Sequence, residues 1–135
     1  MKYTVLDLPH VVANMPQTEN LSFVGGDMVQ SIPHADAILL KLVMHNWSNE
    51  DCVKLLQRCR EASTYNDEGR KGKILIIDIV LNRDEDEANM TEVKILFDVL
   101  MMVLLAGGRQ RTEKEWERLF LESGFVSYKI ILFFA

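Results

Sequence analysis

A histidine stands at the end of a strand-like apolar run. His45 lies two residues after the end of residues 35–43, separated from them by Met44, and is followed by Asn46 and Trp47. Ligands of an open α/β sheet bind outside the carboxyl ends of its strands, so a polar side chain there is well placed for chemistry. Imidazole is also the side chain best suited to exchange a proton near neutral pH. His45 is therefore a candidate general base, although a hydrogen-bonded structural histidine fits the same pattern.

Acidic side chains follow three other strand-like runs in the same way. Because the carboxyl ends of parallel strands meet at one edge of a sheet, these acids and His45 predict the rim of an active site. Asp78 is the best candidate to bind the other ring nitrogen of His45, which would fix its tautomer and raise its basicity. The alternative is that Asp78 caps a helix or a loop. The acids are Asp7 after residues 3–6, Asp27 after residues 21–24 and Asp78 after residues 74–77.

Some of these residues have the chemistry of nucleoside recognition. An acid at the end of the second strand of a nucleotide-binding half commonly binds ribose hydroxyls, which suits Asp7. Asp27 could hold another polar edge of a nucleoside, and Met28 could supply an apolar face. Lys41 lies within an apolar run, where a buried charge needs a partner such as a carboxylate-bearing ligand or a nearby acid. Each signal is weak alone, because aspartate is also a common turn residue.

The composition is that of one globular domain. A chain of 135 residues is long enough for a single domain with its own hydrophobic core. Hydrophobic residues make up 48% and charged residues 26%, as in soluble globular proteins. The net charge is -5, and no basic cluster lies among aromatic side chains. Nucleic acid is therefore not expected as a partner.

Membrane insertion, secretion and metal binding are also disfavoured. The apolar runs are too short, or too mixed with charge, to span a bilayer, and the N-terminus has no signal-peptide pattern. His10 and His34 lack metal-ligand spacing to an acid or a thiol, so no metal site is expected. Cys52 and Cys59 lie seven residues apart on a predicted helix, roughly 10 Å at 1.5 Å per residue, which is too far for a disulfide. Reduced thiols in a cytoplasmic protein are the simplest account.

Strands and helices alternate along the predicted element order. The near-continuous apolar character of residues 35–43 predicts a strand buried on both faces of a parallel sheet. Ser48 and Thr112, each followed three residues later by an acid, predict helix starts, and Gly124 predicts a helix end. The alternation argues for a layered α/β fold. The predicted strands are residues 3–6, 21–24, 35–43, 74–81 and 125–134, the predicted helices are residues 11–14, 91–105 and those after Ser48 and Thr112, and the predicted loops are residues 63–73 and 82–89.

Six segments of the chain carry a resemblance to one family. They are, in order, TVLDLPHVV, ENLSFVGGDM, ADAILLKLVMHNW, EDCVKLLQRC, GKILIID and GGRQRTEKEWERLFLESGF. Together they resemble plant S-adenosylmethionine-dependent O-methyltransferases, and most of all the isoflavone and flavonoid branch of plant secondary metabolism. The resemblance implies a Rossmann-like methyltransferase fold, S-adenosyl-L-methionine as cofactor, and a small phenolic acceptor such as a flavonoid, an isoflavonoid or a phenylpropanoid.

The resemblance also implies a role for individual residues. His45 would be the catalytic base, and Asp78 would be one of two acids that hold it. Gln110 stands where the family has the second acid; its amide can orient His45 but cannot stabilise an imidazolium by charge. No metal is needed in this branch. The remaining implied roles are ribose binding by Asp7, the adenosine site for Asp27 and Met28, a cofactor contact for Lys41, and packing on the acceptor ring for Met101.

The resemblance places residues 1–135 in the C-terminal part of a catalytic domain. The family's N-terminal dimerisation domain, Gly-rich cofactor turn and final strand have no counterpart in this sequence, so we expect a fold truncated at both ends. An exposed sheet edge would then favour a homodimer or association with a full-length relative. Two other functions stay open. One is a non-catalytic module that associates with a full-length methyltransferase; the other is a nicotinamide-dependent oxidoreductase, which shares Asp7 but does not explain His45 beside Asn46 and Trp47.

Overall fold

Paired parallel strands carry the polar residues singled out above. The computed structural model describes residues 1–63, 72–81, 95–96, 100 and 108–131. In these residues the strands form three parallel pairs: β1 with β2, β3 with β4, and β5 with β6. The predicted parallel direction of the strands is therefore confirmed, but the described strands form three separate pairs and not the one sheet that was expected. The strands are β1 (Tyr3–Asp7), β2 (Leu21–Gly25), β3 (Ala37–Lys41), β4 (Lys73–Ile77), β5 (Val80–Leu81) and β6 (Arg111–Thr112).

Local capping chemistry explains where the helices begin. Ser48 Oγ accepts a hydrogen bond from Asp51 N at 3.2 Å, as predicted for the start of α2. Thr112 and Glu115 form the complete reciprocal capping box of α3, with Glu115 Oε2 accepting from Thr112 N at 2.8 Å. Gly124 ends α3 with φ of +86°, a conformation that favours glycine. The helices are α1 (Pro9–Val12), α2 (Asn49–Ala62) and α3 (Glu113–Glu122).

The hydrophobic core lies where α2 and α3 pack against β3. Leu55 and Leu56 on α2 are 1% exposed, and they meet Leu40 of β3 and Trp116 of α3 in one buried cluster. Burying side chains of this size contributes roughly 1.5–3 kcal/mol each. No helix in the described part of the chain is long and apolar enough to cross a membrane.

The prediction that residues 35–43 are buried on both faces is wrong for this chain. Successive side chains of β3 alternate between faces, so Leu40 enters the core while Leu39 is 60% exposed. Leu75 and Ile77 of β4 lie exposed as well, at 53% and 52%. Lys41 is exposed too, so the expected burial of its charge is also wrong. The reason is that the core elements α2 and α3 cover only one face of the β3–β4 pair.

Residues 74–81 form two strands instead of the single strand predicted. β4 ends at Ile77, where Ile77 O accepts the last cross-strand hydrogen bond from Leu42 N at 2.8 Å. Asp78 Oδ1 then accepts from the next backbone amide, Ile79 N, at 2.8 Å. This local bond turns the backbone out of the β3–β4 ladder. β5 follows and pairs with β6 instead.

The predicted strand at residues 125–134 is not formed over residues 125–131. Phe125 N bonds back to Phe120 O at 2.9 Å, and the Tyr128 ring packs against Phe120 with centroids 5.1 Å apart. The Tyr128 hydroxyl also donates to Glu117 Oε1 at 2.6 Å. The segment therefore packs against α3, and its backbone pairs with no strand in the described part of the chain.

Several other predictions differ by position or lie outside the described residues. The short helix expected at residues 11–14 begins earlier, because Pro9 occupies its first turn. The loop at residues 82–89, most of the loop at residues 63–73, and most of the helix at residues 91–105 lie outside the described part of the chain. Residues 95, 96 and 100 of that helix are helical.

Candidate active site

His45 and Asp78 meet at the carboxyl ends of the paired strands β3 and β4. His45 Nδ1 lies 3.0 Å from Asp78 Oδ1, and His45 N donates to Asp78 Oδ2 at 3.2 Å. One carboxylate thus holds both the ring and the main chain of the same histidine. The predicted contact between these residues is present, and it joins positions 33 residues apart in sequence.

Both side chains of this contact are buried, which strengthens the hydrogen bond between them. The Asp78 side chain is 2% exposed and the His45 side chain 11% exposed. In such surroundings hydrogen bonds strengthen, and a carboxylate on Nδ1 favours the tautomer that carries its proton there. Nε2 then bears the lone pair that a general base requires. The pair therefore has the chemistry of an oriented proton acceptor.

A strained turn places His45 after its strand. Leu42 has φ of +53°, in the left-handed region that leucine rarely adopts. The chain then makes a short 3-10 turn, Met44–Asn46, in which Met44 and His45 are buried. Backbone strain of this kind costs on the order of 1–3 kcal/mol and persists where surrounding contacts fix it. The turn redirects the backbone so that the His45 ring meets Asp78.

Asp7 and Asp27 lie at the carboxyl ends of the other strand pair. Asp7 faces Gly25 in the β1–β2 register, and Asp7 O accepts from Gly26 N at 2.9 Å, immediately before Asp27. Each carboxylate uses Oδ1 locally: Asp7 accepts from Leu8 N at 2.7 Å, and Asp27 accepts from Val29 N at 2.9 Å. The Oδ2 atoms have no hydrogen-bond partner among the residues that the structure describes. The structure thus brings two exposed acceptors to one sheet edge.

The other predicted residues occupy varied surroundings. Met28 is half-buried and packs against the hydrophobic core cluster. Lys41 is the exposed last residue of β3. Gln110 is 2% exposed and follows Arg109, whose N–H donates to His45 O at 2.7 Å. Met101 lies outside the described residues.

Two residues that secure this site were missed by sequence reasoning. Arg111 is fully buried and donates to the carbonyls of Met44 and Trp47. Trp116 Nε1 donates to Ile79 O at 3.4 Å, next to Asp78. The sequence signals were local: Arg111 lies between Gln110 and the capping residue Thr112, and Trp116 lies in the helix that Thr112 begins. Neither signal shows the contacts with the site, since contacts over such sequence separations leave no local pattern.

Both cysteines are free, as predicted, and the structure shows that both are buried. Burial raises the pKa of Cys59 to about 12. Burial also raises the pKa of Cys52 to about 11, against the opposing pull of the Arg111 guanidinium. Cys52 Sγ donates to Met44 O at 3.3 Å. Neither thiol has the lowered pKa of a nucleophile, so they act as small core residues.

A cavity of about 310 Å³ lies elsewhere, between the loop after β2 and α2. None of the predicted site residues lines it. Its lining includes the exposed ion pair of Arg58 with Glu61, 2.8 Å apart, and Arg58 also donates to Val29 O. These bonds tie the loop to the helix. No group of three or more potential metal ligands occurs among the described residues.

Comparison with known proteins identifies the family. Residues 1–126 match the family model for the O-methyltransferase domain, so the chain belongs to the O-methyltransferase domain family. It is 48% identical over 130 residues to isoflavone-7-O-methyltransferase 9 of Medicago sativa, covering 96% of this chain and 36% of that protein. It is 51% identical over 127 residues to trans-resveratrol di-O-methyltransferase of Vitis vinifera, covering 94% and 35%. The chain thus spans about a third of the length of these relatives.

Solved structures agree with this family. Human N-acetylserotonin methyltransferase, in complex with S-adenosylmethionine, superimposes with a TM-score of 0.73 at 28% identity. The match covers 95% of this chain and 36% of the human protein. The chain therefore has the α/β, Rossmann-like fold of these methyltransferases over the part that it covers, as the sequence predicted.

Proposed function

We propose that this chain takes part in S-adenosylmethionine-dependent methyl transfer to a phenolic hydroxyl, with His45 as general base. The observation that carries the proposal is the contact of His45 Nδ1 with Asp78 Oδ1 at 3.0 Å, at the carboxyl ends of two paired parallel strands. Membership of the O-methyltransferase family supports it. We place residues 1–135 within the C-terminal part of a methyltransferase catalytic domain.

The residues at the β1–β2 edge fit the nucleoside part of the cofactor. Asp7 and Asp27 offer carboxylate oxygens, which accept hydrogen bonds from ribose hydroxyls or an adenine amino group. Met28 offers a half-buried apolar surface for a flat ring. Lys41 would add a contact at the end of β3, where its ammonium group suits the cofactor carboxylate. When bound, S-adenosylmethionine supplies an electrophilic methyl group on sulfur.

The proton step belongs to His45. Its Nε2 would take the proton of the phenol, so that the phenol oxygen could accept the methyl group that the bound cofactor would supply. Asp78 stabilises the resulting imidazolium through the bond at Nδ1. Gln110 would help to orient the ring without adding charge. Positioning of the two reactants supplies much of the acceleration, as in other two-substrate reactions.

The acceptor class is proposed from the relatives. Their names specify an isoflavone, a flavonoid and resveratrol, all of which carry phenolic hydroxyls. We extend this class to phenylpropanoids, and we propose that Met101 packs on the acceptor ring.

Calorimetric titration with S-adenosylhomocysteine tests the cofactor site. We expect the chain to bind this product, and we expect Asp7→Ala to weaken binding at least about 10-fold, because a lost hydrogen bond to a charged group costs roughly 1.5–3 kcal/mol. Asp36→Ala is the matched control, since Asp36 is an exposed acid directly before β3, at the opposite end from the site. Equal affinities for all three proteins would contradict the assignment of Asp7.

One observation favours a second candidate function, a non-catalytic module that associates with a full-length methyltransferase. Leu39, Leu75 and Ile77 leave an apolar face exposed on the β3–β4 pair. A folded chain that binds no S-adenosylhomocysteine, but forms a complex with the Medicago sativa isoflavone methyltransferase in sedimentation, would favour this module. A folded chain that self-associates would favour a homodimer.

A further inference from the structure

Arg111 is the largest fully buried side chain among the described residues. A buried guanidinium is costly unless its N–H groups find acceptors. Here Nε donates to Asn49 Oδ1 at 2.8 Å, Nη2 donates to Trp47 O at 2.8 Å, and Nη1 donates to Met44 O at 3.0 Å and to Arg109 O at 3.3 Å. The donors therefore converge on the segment that carries His45.

The carbonyls that Arg111 binds lie on both sides of His45. Met44 begins the 3-10 turn and Trp47 follows it. The turn has no side-chain cap at its N-terminus, and its own closing bond, Trp47 N to Met44 O, is long at 3.3 Å. A turn of this length has little intrinsic stability. Its position is therefore fixed from outside, by Arg111, by the bond from Arg109 N to His45 O, by Asp78 Oδ2, which accepts from His45 N, and by the Cys52 thiol, which donates to Met44 O.

We infer that Arg111 is a positioning residue for His45, an assignment that rests on the function proposed above. Asp78 accepts from both the ring and the main-chain N–H of His45. A shift of the turn would therefore lengthen both bonds together. The His45 ring would then no longer be held in the tautomer that carries its proton on Nδ1. Arg111 acts through the backbone on either side of the histidine.

The geometry requires a guanidinium and not simply a positive charge. The acceptors Met44 O, Trp47 O and Asn49 Oδ1 are bound by three different nitrogens of Arg111. A lysine ammonium presents its donors from a single atom and cannot span them. The guanidinium also lies 5.8 Å from the centre of the Trp116 ring, whose Nε1 binds Ile79 O beside Asp78. Arg111 thus contacts the turn that carries His45 and also Trp116, which binds the backbone beside Asp78.

Nitrogen-15 NMR of the imidazole rings tests this inference without relying on activity. The chain has three histidines, and the His45 signals are assigned by their loss in His45→Gln. At a pH where His45 is neutral, we expect the Nδ1–H tautomer in the wild type and a mixture of tautomers in Arg111→Lys. Arg118→Lys makes the same substitution at an exposed position on α3 and is the matched control. Its spectrum should be the same as that of the wild type. An unchanged tautomer in Arg111→Lys would overturn the inference.

Asn49→Ala keeps the inference testable if Arg111→Lys does not fold. Asn49 is exposed at the first position of α2, so its loss frees one guanidinium contact without leaving a charge unpaired. We expect a smaller shift of the His45 tautomer in the same direction. If Arg111→Lys does not fold, an unchanged His45 tautomer in folded Asn49→Ala would count against the positioning role of Arg111.

Kinetics give a second readout. We expect Arg111→Lys to lower kcat by about 10- to 100-fold, because misplacement of a catalytic group on the ångström scale has effects of this size. The affinity for S-adenosylhomocysteine should stay unchanged. Equal kcat in Arg111→Lys and the wild type would overturn the inference. If the wild type transfers no methyl group, the proposed function fails, and the NMR comparison alone decides the role of Arg111.

Discussion

At the scale of single residues, the candidate site depends on how one carboxylate is shared. Asp78 is 2% exposed and binds His45 through both the ring and the main chain. A third bond, from Ile79 N to Asp78 Oδ1, fixes the carboxylate itself. The negative charge therefore lies where a developing imidazolium would need it. Gln110, the position that the family resemblance assigns to a second acid, carries no such charge.

Replacing Gln110 by an acid tests this electrostatic argument. We propose above that Gln110 orients the His45 ring, so Gln110→Glu should raise kcat, because a second carboxylate there would stabilise the imidazolium. Gln110 is buried and follows Arg109, whose N–H donates to His45 O. Gln57→Glu makes the same change of charge on the exposed side of α2. Equal values of kcat for these two variants would contradict the argument.

At the scale of elements, capping and strand ends place the site. The capping box of Thr112 and Glu115 begins α3 directly after Arg111, and α3 carries Trp116 against Ile79 O. Glu115 also forms an ion pair with Arg109, so the same cap holds the segment that contacts His45. The start of one helix is thus coupled to the position of the candidate base.

Removing the cap should weaken the fold by a measurable amount. Thr112→Ala leaves Glu115 N without its acceptor, so we expect it to lower the free energy of unfolding by about 1 kcal/mol, the usual cost of losing such a cap. Ser127→Ala, at an exposed position outside any helix, serves as control and should change little. Urea denaturation measures both. Equal stabilities would show that the box contributes nothing.

The features that were predictable from sequence are local ones. Ser48, Thr112 and Gly124 mark helix ends through bonds to residues within one turn, and the structure confirms all three. The contacts of Arg111 with Met44 and Trp47 join residues 67 and 64 positions apart. Sequence spacing carries no information about such contacts. The exposure of Leu39 was mispredicted for the same reason, because it depends on which elements cover the sheet.

At the scale of the whole molecule, two buried thiols make stability depend on pH. The pKa of Cys59 rises to about 12 and that of Cys52 to about 11, from an ordinary value of 9.0, mainly through burial. The unfolded chain therefore loses these protons near pH 9, while the folded chain keeps them. It follows that the folded state is destabilised as the pH rises above about 9.

Urea denaturation between pH 8 and 11 checks this effect. Each thiol should lower the free energy of unfolding by about 1.4 kcal/mol for every pH unit above 9, until its folded-state pKa is reached. Cys59→Ala should be less stable at pH 8 but should show a shallower decline, since one of the two thiols is gone. Parallel declines in the wild type and in Cys59→Ala would contradict the linkage.

The most direct measurement is transfer of a labelled methyl group from S-adenosylmethionine to an isoflavone or to resveratrol, by the wild-type chain and by His45→Ala. General-base catalysis contributes roughly 100- to 10,000-fold. We therefore predict transfer by the wild type and a loss of at least about 100-fold in His45→Ala, with the affinity for S-adenosylhomocysteine retained. Transfer at the wild-type rate by His45→Ala would contradict the assignment of the base. No transfer by a folded wild-type chain would contradict the proposed function itself.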